Sequence, residues 1–438
     1  MRTGGAKDGS RAVDAAAVQD GRSGPDGAWR GRLELHGIPC AEPGGGPDGS
    51  AAVHAVLVKD IEAVGVFERP RPVWIAGGAA GGGRRDGWTE RGLDRLPAHL
   101  RRAAHQAARA AYALRMEEAV VWLAREGGQP VIAGIEDPRS AGDEWEILFR
   151  ERAARAEAGG FRQGGRGAPR EVLLGADPEF VLAGDDGRIL HAGRWLPKSG
   201  SVGCDRVRLR ERWLYALAEL RPRPAAEPEQ LLAAICSELE RAERMLEGRA
   251  AAWLAGGLPH PKLPLGGHVH FSGIRCTGEL LRVLDNYLAL PVLMVEDEES
   301  LRRRPAFGSL GDHRFKPHGF EYRTLPSWLV HPQVAAGVLA LARIIALHHG
   351  LLKLRPLDSP ELERRFYAGD KAALAGDVRR IWEDLARTPG YARYRRLVEP
   401  LRRRSLLAQS WDSRRDLREA WKIGRLRQKT SATTGFMV

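Results

Sequence analysis

Gly175-Ala176-Asp177-Pro178-Glu179-Phe180 opens the part of the chain whose reading decides the fold, with two acids at i, i+2 spacing. Glu219-Leu220-Arg221, His268-Val269-His270 and Glu321-Tyr322-Arg323 repeat that spacing with acidic, imidazole or guanidinium groups. In a β-strand, residues i and i+2 point to the same face. Each segment has apolar or aromatic neighbours of strand type, among them Phe180-Val181-Leu182, Trp213-Leu214-Tyr215, Phe271 and Phe320. Read as four strands of one sheet, they gather four carboxylates, two imidazoles and two guanidiniums on one concave surface. Carboxylates that close cannot all stay ionised without cations. Oxygen-rich ligands with one or two histidines suit magnesium or manganese, and arginines suit phosphate. The pattern therefore predicts a site that handles a nucleoside triphosphate.

The motifs GADPEF (Gly175 to Phe180), AELRP (Ala218 to Pro222), GGHVHFS (Gly266 to Ser272) and GFEYRTLPS (Gly319 to Ser327) resemble the amidoligases. These are phage-type carboxylate–amine ligases, relatives of glutamine synthetase and glutamate–cysteine ligase. The stretch Arg302 to Arg323 resembles that family's arginine- and glycine-rich approach to its last metal strand. The resemblance covers about Glu171 to Gly350. HxH and ExR alone are common, so the weight lies in four motifs in the family's order.

The resemblance implies an α+β fold: a glutamine synthetase-like curved antiparallel sheet with helices on its back, beside a smaller N-terminal α/β module. It implies ATP- and magnesium- or manganese-dependent joining of a carboxylate to an amine, through an acyl phosphate, on an amino acid or peptide. Such catalysis rests on positioning and charge neutralisation. By this comparison Glu179, Glu219, His268, Glu321 and Asp177 are metal ligands. Arg323 and Arg314 act on the transferring phosphoryl group, while Lys316, His270 and Arg221 face nucleotide or substrate. Arg302-Arg303-Arg304 either reaches phosphate or forms a solvated helix end after the acidic Glu296 to Glu299 patch. Asp205 is a doubtful member, because Gly203-Cys204-Asp205-Arg206 lacks the final glycine of the family's Gly-Asp-Gly. His313, His318, His348 and His349 receive no role. Two rivals stand beside the ligase: a binding or scaffold protein of the same fold without turnover, and a metal-dependent hydrolase using the HxH strand.

The rest of the composition sets bounds. The chain has 438 residues, 43% hydrophobic and 28% charged, as expected of a globular protein with two or three domains. The apolar run Ala335 to Leu347 is interrupted by Arg343 and reads as a buried helix. No signal peptide is expected at the N-terminus. Four scattered cysteines without a CxxC pair suit a reducing cytoplasm. The net charge of +12 admits an anionic partner, but basic helices are commonly solvated faces. Neither nucleic acid nor a membrane is expected as partner; the oligomeric state is left open.

Along the chain, residues 1–28 read as disordered and 29–140 as an accessory α/β module. In that module Ala52–Val58 with Ile61–Phe67, and Ala119–Leu123 with Pro130–Ile135, read as hairpins flanking a helix from Pro97 to Ala113. A glycine-rich loop, Gly77–Gly87, precedes the helix. The order faintly resembles the C-terminal half of an ATP-grasp domain, with Glu136-Asp137 where such enzymes place metal ligands. Residues 141–170 read as helix and linker, and 171–350 as the catalytic core. Inside the core, helices are expected at Pro228–Leu254, Thr277–Leu290 and His331–His349. Residues 351–438 read as a basic helical region ending in a polar tail.

Overall fold

The structure, a computed structural model, describes residues 28–42, 52–69, 87–159, 171–209 and 212–424. The expected N-terminal disorder, nearly all of the glycine-rich loop, the linker and the polar tail lie outside the described residues. Two compact units divide the chain. One comprises Met1–Gly31 with Pro39–Arg155, the other Arg32–Ile38 with Ala156–Val438.

In the first unit, strands β1 (His54–Lys59), β2 (Glu62–Glu68), β3 (Thr89–Glu90), β4 (Glu118–Glu126) and β5 (Gln129–Glu136) form an antiparallel sheet in the order β3-β2-β1-β4-β5. Both expected hairpins are present. Asp60 and Gly127-Gly128 take the positive φ that their tight turns require. The helix Ala98–Ala113 buries an alanine-rich face with Leu100. Trp88, Trp122, Trp145 and Phe67 form an aromatic cluster with ring centres 4.9–5.8 Å apart.

Among the described residues, the second unit carries nine strands in two antiparallel sheets. The first contains β7 (Glu179–Ala183), β8 (Ile189–Leu190), β9 (Val202–Leu209), β10 (Arg212–Leu220) and β11 (Ala252–Leu254), in the order β11-β7-β10-β9 with β8 on β7. The second contains β6 (Leu173–Ala176), β12 (Val269–Ser272), β13 (His313–Lys316) and β14 (Gly319–Tyr322), in the order β13-β14-β12-β6. The expected α+β architecture is present, but its four motifs do not share one hydrogen-bonded sheet. Glu179 and Glu219 belong to the first sheet, and His270 and Glu321 to the second. The chain crosses between them at Asp177-Pro178, where proline has no N–H to continue a ladder.

Helices supply much of the core. Pro228–Leu246 buries the stripe Leu231, Ile235, Leu239, Ala242 and Leu246. It stops eight residues before the expected Leu254, because Glu247 and Gly248 turn left-handed (φ 48° and 70°) and the chain then enters β11. Thr277 caps the next helix by accepting from the Leu280 N–H at 3.1 Å. That helix continues from Gly278–Leu284 through a π-turn, Asp285–Ala289, into Leu290–Leu293. His331 caps Pro332–His348, whose residues from Val334 to Ala346 are buried. Extended to Leu351, this helix is apolar and long enough to cross a membrane by composition, yet 72% of its most apolar window is buried inside the protein. Arg343 is buried with it and donates to the Val172 carbonyl. From residue 352 to 424 the chain is mainly helical, with helices Pro360–Ala368, Lys371–Leu385, Pro389–Leu406 and Leu417–Trp421.

Candidate active site

Each sheet of the second unit contributes one cross-strand row to a common cavity of about 620 Å³. In the first sheet, Glu219 stands opposite Glu179 on one side and Gly203 on the other. In the second, Glu321 stands between Arg314 and His270, and His270 faces Gly175. Both rows end on a glycine. A Cβ on Gly203 would come within 2.3 Å of the Arg221 Nη1 atom, so the bare backbone makes room for that guanidinium.

The Gly266-Gly267 pair explains how the sheets approach so closely. The Gly266 N–H donates to Glu179 Oε2 at 2.7 Å, and the Glu179 N–H donates back to the Gly266 carbonyl at 2.9 Å. A Cβ on Gly267 would meet the Pro326 carbonyl oxygen at 2.3 Å, so no larger residue fits without moving backbone. Trp328 anchors the same turn by donating its indole N–H to the Gly267 carbonyl at 2.8 Å.

Asp177, at the crossing between sheets, joins the two rows. Its Oδ1 lies 3.0 Å from His268 Nδ1, and its Oδ2 lies 3.1 Å from His270 Nε2. His268 Nδ1 is also 3.4 Å from Glu321 Oε1. Asp177, His270 and Glu321 each present one ligand atom within 4.8 Å of the others. The geometry therefore puts His270, expected on the nucleotide side, into the tightest group of metal-type ligands. His268, expected as a ligand, has its Nδ1 engaged by two carboxylates.

Cations border the acids. Arg221 contacts Glu219 and Arg323 contacts Glu321. Lys316 Nζ lies 2.8 Å from Glu321 Oε2, and Arg314, more than half exposed, lies 3.8 Å from Glu321 Oε1. Arg323 is further held by its backbone N–H donating to the Asp312 carbonyl at 2.8 Å.

The electrostatics divide the acids into two pairs. Burial drives the Glu179 carboxyl well above the usual range, and the charges of Glu219 and Asp177 push it further against the pull of the Gly266 N–H. Burial, then Asp177, pushes Glu219 up to about 8, although Arg221 opposes the shift. Asp177 and Glu321 are held below their ordinary values. Burial would raise both, but the two histidines outweigh it at Asp177, and Arg323 with His268 outweighs it at Glu321.

A divalent cation fits these residues on two grounds. His270 Nε2 and Glu321 Oε2 are buried, and their close neighbours Asp177 and Lys316 are poorly aligned to hydrogen-bond with them. Glu179 and Glu219 are buried carboxylates directly opposite each other, a placement that repels unless a proton or a cation intervenes.

All ten residues expected at the site line this cavity, and Asp205 lines it with them. His318 is the residue that sequence reasoning passed over. It lines the cavity, and its ring stacks on His270 with centres 5.6 Å apart and planes 8° from parallel. Burial, reinforced by His270 and Lys316, lowers its pKa and favours the neutral ring. Its only signal in the sequence was its place in the turn between Lys316 and Gly319.

The arginine run lies elsewhere. Arg304 is buried against Glu296 in a two-bond ion pair of 2.7 and 2.6 Å, and Arg303 is buried with its guanidinium donating to the Thr324 carbonyl. Neither phosphate binding nor a solvated helix end describes these two residues; both are built into the core, and only Arg302 is exposed. Of the ATP-grasp pair in the first unit, Asp137 is closed by Arg139, whose guanidinium donates to both carboxylate oxygens at 2.9 and 2.8 Å. Burial raises Glu136, and Trp122 partly offsets the shift.

Comparison with known proteins bears on the family of the chain. The family model for phage phiEco32-like COOH·NH2 ligases of type 2 matches residues 174–423. No curated protein matches the chain. Among solved structures, a bifunctional glutathione synthetase from Pasteurella multocida is similar at 10% identity and a TM-score of 0.36, over 58% of this chain and 48% of that one. The chain thus spans about half the length of that protein. The family match covers more than half of the chain and contains every residue of the two acidic rows, and the protein belongs to the phage phiEco32-like COOH·NH2 ligase family, type 2.

Proposed function

We propose that the protein joins a carboxylate to an amine at the expense of ATP, with magnesium or manganese, on an amino acid or peptide. The observation that carries this reading is the convergence of Glu179, Glu219, Asp177, His270 and Glu321 on one cavity, bordered by Arg221, Arg314, Lys316 and Arg323. So many buried acids are costly to the fold unless they bind cations, and the flanking guanidiniums suit phosphoryl oxygens.

Asp177, His270 and Glu321 would hold one divalent ion, with Glu179 and Glu219 as a second group of ligands and His268 fixing Asp177 from behind. The imidazole makes manganese as apt as magnesium. The ions would neutralise the triphosphate and polarise its oxygens. ATP would supply the phosphoryl group that turns the acid into an acyl phosphate, which the amine then opens. Arg323 is placed to neutralise charge growing on the transferring group, and Arg314 and Lys316 to hold the phosphates from the β13–β14 side. Residues 29–140 are read as accessory, because Asp137 is already paired with Arg139.

The test is ADP release with magnesium or manganese across a panel of amino acids and peptides, followed by mass measurement of the new amide. Nucleotide turnover that needs both an acid and an amine supports the reading. Metal-dependent hydrolysis without ATP would replace it with the hydrolase.

A further inference from the structure

The hairpin of β9 and β10 has two unlike faces. Val207 and Leu214 turn inward against the buried cluster of Val181, Ala216, Leu217, Leu263 and Leu265. The other face carries Arg206, Arg208, Trp213 and Tyr215. Arg208 stands directly opposite Trp213, and the Arg206 guanidinium lies 4.5 Å from the centre of the Trp213 ring. Lys198 reaches the same face, with its ammonium 4.6 Å from the centre of the Tyr215 ring. Trp213 is 54% exposed, far more than a tryptophan serving the core.

Three observations mark this face as a docking surface. Arg206, Arg208 and Lys198 have no carboxylate partner among the described residues, and two of the three lie against aromatic rings of the same face. Tryptophan, tyrosine and arginine together are the residue types that dominate interface centres. Finally, β9 is the outer strand of its sheet, and no described strand pairs with its free edge. Cys204 spends its outward N–H on the Pro197 carbonyl at 2.9 Å. The Arg206 N–H donates to Asp205 Oδ1 at 2.7 Å, a local bond that an incoming strand would have to displace, so the edge is most accessible at Arg208.

We propose that the stretch Arg206–Arg208 docks an extended acidic peptide as an added strand beside β9. Main-chain pairing would supply the register. Arg206 and Arg208, at i and i+2, would face acidic side chains at alternate positions of the peptide, since directly opposite residues sit about 5 Å apart. The free strand edge favours a peptide over a nucleic acid, which could use the charges but not the ladder. Asp205 and Gly203 point to the opposite face, toward the cavity, so docking and ligation use different sides of one strand.

The test uses the full chain and a fluorescein-labelled peptide of alternating threonine and glutamate, with anisotropy as the readout. The paired variant Arg206→Glu with Arg208→Glu should weaken binding by about tenfold or more, the scale expected for reversing two exposed charges. Arg379→Glu with Arg396→Glu, an equal charge change elsewhere, should leave it within about twofold. A peptide with proline in place of each threonine should bind at least about tenfold more weakly, because proline cannot continue a ladder. Equal losses in both arginine pairs would reduce the effect to net charge, and equal binding of the proline peptide would remove the added strand. Tighter binding of a single-stranded oligothymidylate of the same charge would assign the face to nucleic acid. Each of these three results overturns the proposal.

Discussion

Glu179 and Glu219 stand directly opposite each other across the β7–β10 ladder, both buried, with one hydrogen-bonded to the Gly266 N–H and the other in contact with Arg221. Two carboxylates so placed share their ionisation with whatever cation is present.

That relationship predicts a pH-dependent stability that metal removes. Glu219 titrates at about 8 in the folded protein against an unperturbed 4.5. Between those values the folded state keeps a proton that the unfolded chain has released. The contribution of Glu219 to stability is therefore full below about pH 4.5 and lost as pH rises to about 8. Melting temperatures of the parent relative to Glu219→Gln should fall across this window in chelator, and millimolar magnesium should flatten the difference by displacing the proton. A difference unchanged by magnesium would separate Glu219 from the metal site.

Arg304 should behave as a core residue. Removing its side chain leaves Glu296 charged and buried, so Arg304→Ala should cost about 3–5 kcal/mol in denaturant unfolding. Arg302→Ala, at an exposed position, should stay within about 0.5 kcal/mol. The reverse order would return the run to a surface or phosphate role.

Gly203→Ala tests the row that ends on Arg221. The added methyl would overlap Arg221 Nη1 at 2.3 Å and the Pro197 carbonyl oxygen at 2.9 Å. The guanidinium can swing away more cheaply than the backbone, so Glu219 should lose its cation at a stability cost of about 1–3 kcal/mol. Apparent ATP affinity should fall in Gly203→Ala and in Arg221→Ala to a similar extent. An alanine variant with unchanged ATP affinity and stability would show that Arg221 has another place to sit.

The strand-borne motifs were legible because side-chain alternation is a local property: Glu219 and Arg221, or Glu321 and Arg323, share a side whatever else the chain does. The division into two sheets was not, since it depends on where the chain leaves one ladder at Asp177-Pro178 and on glycines that permit close approach. The overrun of the helix beyond Leu246 has a local cause, because apolar spacing continues past Glu247-Gly248 while the backbone does not. The burial of Arg304 was hidden for a different reason. Its partner Glu296 is eight residues away, and only the fold turns the acidic patch inward. His318 needed the stack on His270 to be noticed at all.

Arg323→Lys addresses the proposed chemistry at a single side chain. It keeps the charge and loses the planar fork, so turnover should drop by a factor of about ten to a thousand while apparent ATP affinity changes much less. Parental turnover in the lysine variant would make Arg323 a structural partner of Glu321 and Asp312. Lost ATP binding would move it to ground-state recognition and leave Arg314 as the catalytic cation.

The central claim, activation of a carboxylate by phosphoryl transfer, is tested most directly by following oxygen. With an acid substrate identified in the panel and labelled with 18O in its carboxylate, the reaction is run with ATP, metal and amine, and the released phosphate is weighed. The carboxylate oxygen that attacks the γ-phosphorus leaves with phosphate when the amine displaces it. The account predicts one labelled oxygen in each phosphate and one amide formed per ADP. Unlabelled phosphate, or amide formed without ADP, would contradict it.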